Sequence, residues 1–292
     1  MRKSVRLKSF ELVARDIAEA ETSLLHALSL SVGWPHRPHD WELLLRSGEG
    51  FVAEDGIGRV FGTAMWFTHG EDFATIGMVI TSPRTQTQGN ARWLMEQVLD
   101  RCKGRALGLN ATHAAYNLYV SLGFDTEATV YQCQGEVAAT LPELPALAGE
   151  LVPLSADDLD AIAALDTQAF GTDRRRLIAL IAGDSAVYGL RRGGALMGYS
   201  CCREFGRGKV IGPIVAAGDA DAIHLAAVHL NQCRGQFARI DTREKDGAFA
   251  DFLARCRLGI FDTVTTMSKG RPFLVREPGG MRIYGLAAHA WS

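Results

Sequence analysis

The chain has 292 residues, 47% of them hydrophobic, and a formal net charge of −2 at pH 7. This balance of charge provides no basic surface for nucleic acid or for an anionic membrane, so we expect neither partner. No run reaches the ~18 apolar residues of a spanning helix, and the basic N-terminus lacks the apolar core of a signal peptide. We expect a cytoplasmic protein with room for two domains.

A loop rich in aromatic and titratable side chains is predicted between the first two helices. It reads Trp-Pro-His-Arg-Pro-His-Asp-Trp at residues 34–41. Rigid aromatic rings with a few polar groups suit a ligand pocket, which makes Trp34, His36 and Arg37 candidate substrate-binding residues. A plain interhelical loop with two packed tryptophans explains the same residues equally well. Both interpretations stay open.

Apolar runs separated by turn residues predict the strands that follow. Residues 51–54 and 59–67 flank Asp-Gly-Ile-Gly at 55–58 and predict a hairpin, and residues 76–81 predict a third strand. Glu71 and Asp72 precede that third strand. They are candidates for relaying a proton through water, or they are ordinary solvated charges in a turn.

The junction after the third strand carries the strongest signal in the chain. Residues 83–92 read Pro-Arg-Thr-Gln-Thr-Gln-Gly-Asn-Ala-Arg and lead into a helix with one apolar face. A loop that leaves a strand and opens a helix presents unpartnered amide groups, which bind an anion such as pyrophosphate. Gly89 permits close approach of a phosphate, and Arg92 adds a positive charge beside it.

Two motifs in this region identify a family resemblance. The dinucleotide G-x-G-x-x-G and the P-loop G-x-x-x-x-G-K-[ST] are both missing. Instead, Gln86-x-x-Gly89-x-Ala91 resembles the Q/R-x-x-G-x-G/A acyl-CoA signature of the GNAT N-acetyltransferase superfamily. Downstream, residues 107–112 (Leu-Gly-Leu-Asn-Ala-Thr) and 118–124 (Leu-Tyr-Val-Ser-Leu-Gly-Phe) resemble the next strand and helix end of that family.

The resemblance covers the whole chain. Residues 33–41, 50–55 and 205–213 are similar to a bacterial subgroup of proteins with two GNAT modules. This implies an α/β fold in which each module is a mixed, mostly antiparallel sheet flanked by helices. It also implies acetyl-CoA as the cosubstrate and entry of the acceptor near the loop 34–41. The pattern of cysteines and histidines, described below, implies no metal.

The resemblance further implies roles for individual residues. Amides at the start of the helix would hold the pyrophosphate, the backbone of the third strand would pair with pantetheine, and a backbone N–H there would bind the oxyanion. Tyr119 would protonate the departing thiolate, although a tyrosine packed on the sheet explains the residue too. Thr112 would contact the cofactor or would simply cap a helix. The implied cofactor-binding residues are Val79, Ile80, Thr81, Gln86, Thr87, Gln88, Gly89, Asn90, Ala91, Arg92, Asn110 and Thr112.

An internal repeat relates the two halves of the chain. Gly-Thr-Ala at 62–64 recurs as Gly-Tyr-Ser at 198–200, and residues 76–80 are similar to residues 211–215. A nearly constant offset predicts one fold used twice. We expect an N-terminal GNAT domain at 1–137 with the acetyl-CoA site, a linker at 138–148, and a degenerate GNAT-like domain at 149–292.

The second half lacks the acyl-CoA signature. Asp219 and Asp221 stand at the start of its equivalent helix, where they would repel a pyrophosphate, and Pro213 removes a backbone donor from the equivalent strand. Residues 271–280 predict a hairpin connection into a closing strand at 282–288. The six cysteines form no CxxC motif and no zinc-ligand pattern with histidine, so we expect them, like His26, His224 and His229, to be structural.

The sequence therefore predicts an acetyl-CoA-dependent N-acetyltransferase. Its acceptor would be a primary amine of a small molecule, acetylated by direct transfer in a ternary complex. The alternative is a non-catalytic acyl-CoA-binding sensor or partner-binding protein. The intact signature together with Tyr119 favours the enzyme, whereas the lack of an obvious general base favours the alternative. Nothing in the sequence indicates a homo-oligomer.

Overall fold

The computed structural model describes residues 4–7, 10–86, 88–274 and 279–292. The chain forms two compact units, Met1–Leu109 and Asn110–Ser292, and the division falls within the strand Ala106–Ala111. No described helix combines the length and the apolar character that a membrane crossing requires.

The first unit is a mixed sheet with helices packed on it. Its strands lie in the order β1-β2-β3-β4-β5-β6, and only the β5–β6 pairing is parallel. Helix α3 packs on β4 and β5 through a fully buried face that includes Leu94, Met95 and Val98, as its sequence pattern predicts. The elements are β1 (Ser4–Leu7), β2 (Phe10–Asp16), α1 (Thr22–Ser31), α2 (Pro38–Ser47), β3 (Glu49–Glu54), β4 (Val60–His69), β5 (Phe73–Thr81), α3 (Asn90–Arg101) and β6 (Ala106–Ala111).

The second unit is built on the same plan. Its strands lie in the order β13-β7-β12-β11-β10-β9-β8, the β11–β12 pairing is parallel, and β14 pairs with β11. Helix α7 packs on β9, β10 and β11. The elements are α4 (Tyr116–Ser121), β7 (Asp125–Glu136), β8 (Glu150–Pro153), α5 (Leu159–Phe170), α6 (Arg175–Gly183), β9 (Ala186–Arg192), β10 (Ala195–Phe205), β11 (Gly208–Ala216), α7 (Asp219–Gln232), β12 (Phe237–Thr242), α8 (Ala248–Arg255), β13 (Gly259–Lys269) and β14 (Arg282–Gly285).

The order of elements confirms the predicted fold. The succession from α1 to β7 (two helices, three strands, then helix, strand, helix, strand) is repeated from α5 to β13, with β8 between the two copies. The compact units do not follow the repeat, because β7 ends the first copy but pairs with β12 and β13 of the second. Residues 137–149 contain neither helix nor strand. The linker predicted at 138–148 would separate the two copies of the repeat, not the two compact units, and it stays a prediction.

The closing strand does not form the hairpin that the sequence suggested. Strand β14 pairs antiparallel with β11, through Val215–Ile283 and Ala216–Arg282, rather than with the preceding β13. The prediction of a hairpin was wrong. The partner of β14 is set by the gap between β11 and β12, which is described below, and not by proximity in the sequence. Residues 275–278 of the predicted connection lie outside the described residues.

A buried histidine in the second unit makes stability depend on pH. His229 of α7 is fully buried, its Nε2 lies 2.9 Å from Ser200 Oγ, and Ser200 Oγ donates to Leu225 O at 2.8 Å. Burial lowers the pKa of His229 from 6.5 to about 4. Between those two pH values the unfolded chain takes up a proton that the folded chain does not, so folding stability falls as the pH falls.

We expect the titration of His229 to lower the free energy of unfolding by about 2 to 3 kcal/mol when the pH falls from 7 to 4.5. Urea unfolding of the wild type and of His229→Gln at both pH values measures the effect. The variant loses less stability on acidification than the wild type, because other groups titrate equally in both proteins. An identical loss in the two proteins would contradict the assignment.

Candidate functional site

Strands β5 and β6 pair over only part of their length. The parallel register runs from Phe73–Ala106 to Ile76–Leu109, and β5 then continues to Thr81. The backbone of residues 77–81 therefore extends past the last pair with β6. An extended ligand can add to such a strand as a pseudo-strand. Val79 and Thr81 are half-buried here, and Ile80 is buried.

A bulge interrupts β5 in the same stretch. Thr63 of β4 is opposite Ile80 and Met65 is opposite Gly77, so β5 carries one extra residue between these pairs. Met78 lies in the bulge and has a φ of 51°, which a non-glycine residue seldom adopts. The hydroxyl of Thr63 donates a buried 2.7 Å hydrogen bond to Met78 O.

Gly89 gives the loop before α3 the shape that an anion site needs. It is the N-cap of α3, with φ 92° and ψ 0°, and as a glycine it has no side chain with which to cap the helix. Among the residues that the structure describes, no heavy atom lies within 4 Å of a Cβ placed at this position. The first turn of α3 contains no acidic residue. These features fit the pyrophosphate of acetyl-CoA, since amides and the helix dipole favour an anion.

Residues of β4 hold the start of α3 in place. Asn90 is 1% exposed, and its Nδ2 donates to Phe61 O at 3.1 Å. The amide of Ser82 donates to the same carbonyl at 2.8 Å. A side chain at Gly62 would approach Asn90 Nδ2 to 2.8 Å and Ile80 O to 2.9 Å, so a residue without Cβ is required where α3 crosses β4. Support of α3 by Phe61 and Gly62 was not predicted from the sequence, although a glycine within a strand is a visible signal of close backbone approach.

The other predicted residues of this loop have modest contacts. Gln86 Nε2 donates to Thr81 O at 3.2 Å, and Gln88 Nε2 donates to Arg84 O at 3.0 Å. The half-exposed Arg92 lies 4.0 Å from Glu96. Ala91 is half-buried in the first turn of α3. Thr87, also predicted to hold the cofactor, lies outside the described residues.

The candidate acceptor residues form an aromatic cluster in the first unit. The rings of Trp34 and His36 lie 5.8 Å apart, and those of His36 and Trp41 lie 6.3 Å apart. Trp41 is fully buried. The amide of Arg37 donates to the buried carboxylate of Asp40 at 2.7 Å. Packing thus accounts for part of this loop, and an acceptor role for Trp34, His36 and Arg37 stays a prediction.

Glu71 and Asp72 are poorly placed for the proton relay considered from the sequence. Both are exposed in the turn before β5, seven or more residues from Val79. At about 3.3 Å per residue, this separation is roughly 23 Å along the strand. A single water molecule cannot bridge that distance to the bulge.

Three predicted site residues belong to the second unit. Asn110 Nδ2 donates to His289 O and to Ser292 Oγ, each at 2.9 Å, and Thr266 Oγ1 donates to Asn110 Oδ1 at 2.8 Å. Its amide is therefore engaged within the protein. The hydroxyl of Thr112 makes no capping hydrogen bond in the described turn that follows, so the capping alternative is not supported.

Tyr119 is buried in α4. It is 5% exposed, and its ring packs edge-on against Phe124 with centroids 6.0 Å apart. Burial raises the pKa of Tyr119 well above its ordinary value of 10, so the phenol carries its proton at neutral pH. A protonated phenol is the state that a general acid requires.

The equivalent groove of the second unit is filled by the chain itself. The parallel register of β11 and β12 ends at Val210–Arg239, and β14 then pairs with β11 beyond that point. The amide of Leu286, directly after β14, donates to Asp241 O of β12 at 2.8 Å. The segment from β14 onward thus forms hydrogen bonds with both β11 and β12 where these strands diverge. In the first unit, the corresponding place is the side of β5 next to residues 77–81.

The start of α7 is also occupied. Tyr284 of β14 donates its hydroxyl to Asp219 Oδ1 at 2.7 Å, and Arg282 lies 3.5 Å from the same oxygen. Arg192 pairs with Asp221. Because both carboxylates are paired with arginines, the filled groove is a stronger obstacle to a second cofactor than the repulsion inferred from the sequence.

The six cysteines are reduced and buried. Burial raises the pKa of Cys201 to about 12 and that of Cys102 to about 11, so both thiols stay protonated and unreactive at neutral pH. In the part of the chain that the structure describes, no group of three or more His, Cys, Asp or Glu side chains could hold a metal ion.

A partly paired β5 with a bulge, followed by a helix that starts at Gly89, fits the fold of an acyltransferase. Family comparison gives the same class. Residues 17–124 match the Acetyltransferase (GNAT) family, and residues 162–283 match an Acetyltransferase (GNAT) domain. The chain belongs to the GNAT acetyltransferases, with two GNAT modules in tandem, and is an acyltransferase.

One curated relative and two solved structures are similar to this chain. The uncharacterized N-acetyltransferase YitH of Bacillus subtilis strain 168 is 27% identical over 204 residues, which cover 68% of this chain and 71% of the relative. A putative acetyltransferase from Pyrococcus horikoshii has a similar fold, with a TM-score of 0.80, 15% identity and coverage of 100% of this chain and 99% of that chain. A tandem GNAT protein from the clavulanic acid biosynthesis pathway has a TM-score of 0.63, 16% identity and coverage of 88% and 98%.

Proposed function

We propose that the chain transfers the acetyl group of acetyl-CoA to a primary amine of a small molecule, by direct transfer in a ternary complex. The observation that carries the proposal is the part of β5 that extends beyond its pairing with β6, where residues 77–81 run past the last pair and lead to Gly89 at the start of α3. Bound acetyl-CoA would supply the acetyl thioester.

The residues of the chain have separate tasks in this reaction. Backbone groups of Val79, Ile80 and Thr81 would pair with the pantetheine arm. The amides of residues 88–91 would hold the pyrophosphate, and Arg92 would add a positive charge beside it. A backbone N–H of β5 would donate to the carbonyl oxygen as it gains charge. Tyr119 would deliver its proton to the departing thiolate sulfur, a role that rests on its position in the family motif. The proton of the amine leaves to solvent.

Release of free thiol from acetyl-CoA, measured over a panel of amines, amino acids and polyamines, tests the proposal. We expect amine-dependent thiol release together with an acetylated product detected by mass spectrometry. Tight binding of acetyl-CoA without turnover of any amine would instead favour the acyl-CoA-binding sensor.

The filled groove of the second unit predicts a single cofactor site per chain. Strand β14 already pairs with β11 where a pantetheine arm would lie, and Arg282 and Tyr284 occupy the start of α7. Calorimetric titration with acetyl-CoA is expected to give a stoichiometry of one. The matched variant Asp219→Asn, which removes negative charge but keeps β14, is expected to give the same stoichiometry. Two equivalent sites in the wild type would contradict this reading.

A further inference from the structure

We propose that Thr63 is a positioning residue for the oxyanion donor of acetyl transfer. The inference rests on the proposed function and adds a named side chain to it. Thr63 is fully buried in β4, and its hydroxyl donates to Met78 O at 2.7 Å, within the bulge of β5. The register between β4 and β5 shifts at this point. The hydrogen bond from the side chain of Thr63 to Met78 O links the two strands there.

The geometry of the peptide bond turns this contact into control of a donor. Met78 O and the N–H of Val79 belong to one planar trans peptide unit, in which they point in opposite directions. A hydrogen bond that draws Met78 O toward Thr63 therefore directs the N–H of Val79 away from β4. That side of β5 is where the pairing with β6 has ended, so the groove that we assign to the thioester lies there. Donation to the carbonyl also strengthens the N–H of the same unit as a donor.

The backbone conformation at Met78 has to be held by a contact such as this hydrogen bond. Its φ of 51° lies in the left-handed region, which costs a non-glycine residue free energy and persists only where the surroundings enforce it. The hydroxyl of Thr63 supplies that enforcement from a neighbouring strand. Strain held at one peptide next to a ligand groove is typical of a functional site.

The second unit provides an internal comparison. The repeat places Tyr199 at the position of Thr63, and its hydroxyl donates to Asp166 Oδ1 at 2.6 Å instead. The β10–β11 pair also carries a register shift, between Ser200 and Cys202. The hydrogen bond from a short hydroxyl to the bulge thus occurs in the unit where β5 continues past its pairing with β6. In the unit where β14 pairs with β11, the corresponding hydroxyl bonds to α5 instead.

The test compares Thr63→Val, which keeps the shape of the side chain but removes its hydroxyl, with Thr63→Ser, which keeps the hydroxyl. Acetyl-CoA labelled with ¹³C at the thioester carbonyl is bound to each protein, and the carbonyl stretching frequency is measured at saturation. We expect the wild type and Thr63→Ser to lower the frequency relative to free acetyl-CoA, and Thr63→Val to return it toward the free value. With an acceptor amine, kcat of Thr63→Val falls roughly 10- to 100-fold while the Kd for CoA changes less than threefold.

Each outcome has a separate meaning. An unchanged carbonyl frequency and kcat in Thr63→Val, at full occupancy, would overturn the role of Thr63 and leave the proposed function standing. Equal losses in Thr63→Val and Thr63→Ser would also overturn it, because packing and not the hydroxyl would then be responsible. Failure of the wild type to bind acetyl-CoA would overturn the proposed function and this inference together. If Thr63→Val unfolds at the assay temperature, Thr63→Ala provides the same comparison with Thr63→Ser.

Discussion

Replacing Gly89 with glutamate is expected to abolish the stabilisation of the protein by acetyl-CoA. At a ligand concentration of 100 times Kd, binding to the folded state contributes about 2.7 kcal/mol, which raises the melting temperature by about 5 °C in a chain of this size. Glutamate fills the open space at the start of α3 and brings a negative charge to the place proposed for the pyrophosphate. The shift in melting temperature with millimolar acetyl-CoA measures the effect.

Gly89→Gln is the matched control, because glutamine has the same size and the same unfavourable φ of 92° without the charge. Both variants lose stability when free of ligand, since a side chain is strained in this conformation. If charge matters, Gly89→Gln retains part of the thermal shift and Gly89→Glu retains none. A full shift in Gly89→Glu would exclude this loop as the cofactor site.

Tyr119→Phe is expected to lower turnover about 100-fold while the Kd for acetyl-CoA stays nearly constant. The hydroxyl would act only when the C–S bond breaks and charge develops on sulfur, so its removal affects kcat and not the binding of the ground state. The ring of Tyr119 packs edge-on against Phe124, a contact that phenylalanine retains. Steady-state kinetics with the amine found in the thiol-release screen, together with calorimetry of acetyl-CoA binding, measures both quantities.

Tyr116→Phe is a suitable comparison, because Tyr116 lies in the same helix and its hydroxyl bonds to Thr126 Oγ1 at 3.0 Å in an exposed position. We expect this variant to keep the activity of the wild type. Full activity of Tyr119→Phe would leave Tyr119 with a packing role. Equal losses in both variants would point to a disturbed α4 rather than to a lost acid.

Local patterns were sufficient to predict most strands and helices. The strands predicted at 51–54 and 59–67 coincide largely with β3 and β4, and the third predicted strand ends at residue 81, as β5 does. The junction at Gly89 was also predictable, because a glycine between a strand and a periodic helix has few alternatives to a left-handed turn. The repeat was visible because both halves keep small residues at the same places in their strands.

Features set by tertiary pairing could not be read from the sequence. The bulge at Met78 depends on the register between β4 and β5, and nothing in the local sequence distinguishes Met78 from its neighbours. The pairing of β14 with β11 depends on a gap between two strands far away in the chain. Engagement of Asn110 by residues 289 and 292 is equally nonlocal, since 179 and 182 positions separate the partners.

The pairing of β7 has a consequence for synthesis on the ribosome. Its partners β12 and β13 begin at Phe237 and Gly259, about 100 residues or more after β7 ends at Glu136. At roughly 5 to 20 residues per second, β7 waits roughly 5 to 20 s for its first partner. During that interval its backbone groups are open to pairing with other chains, which is the usual origin of aggregation at strand edges. We therefore expect the yield of folded protein to depend on chaperone capacity and on the speed of translation while residues 137–258 are synthesised. The same two factors should matter less during synthesis of the first 109 residues.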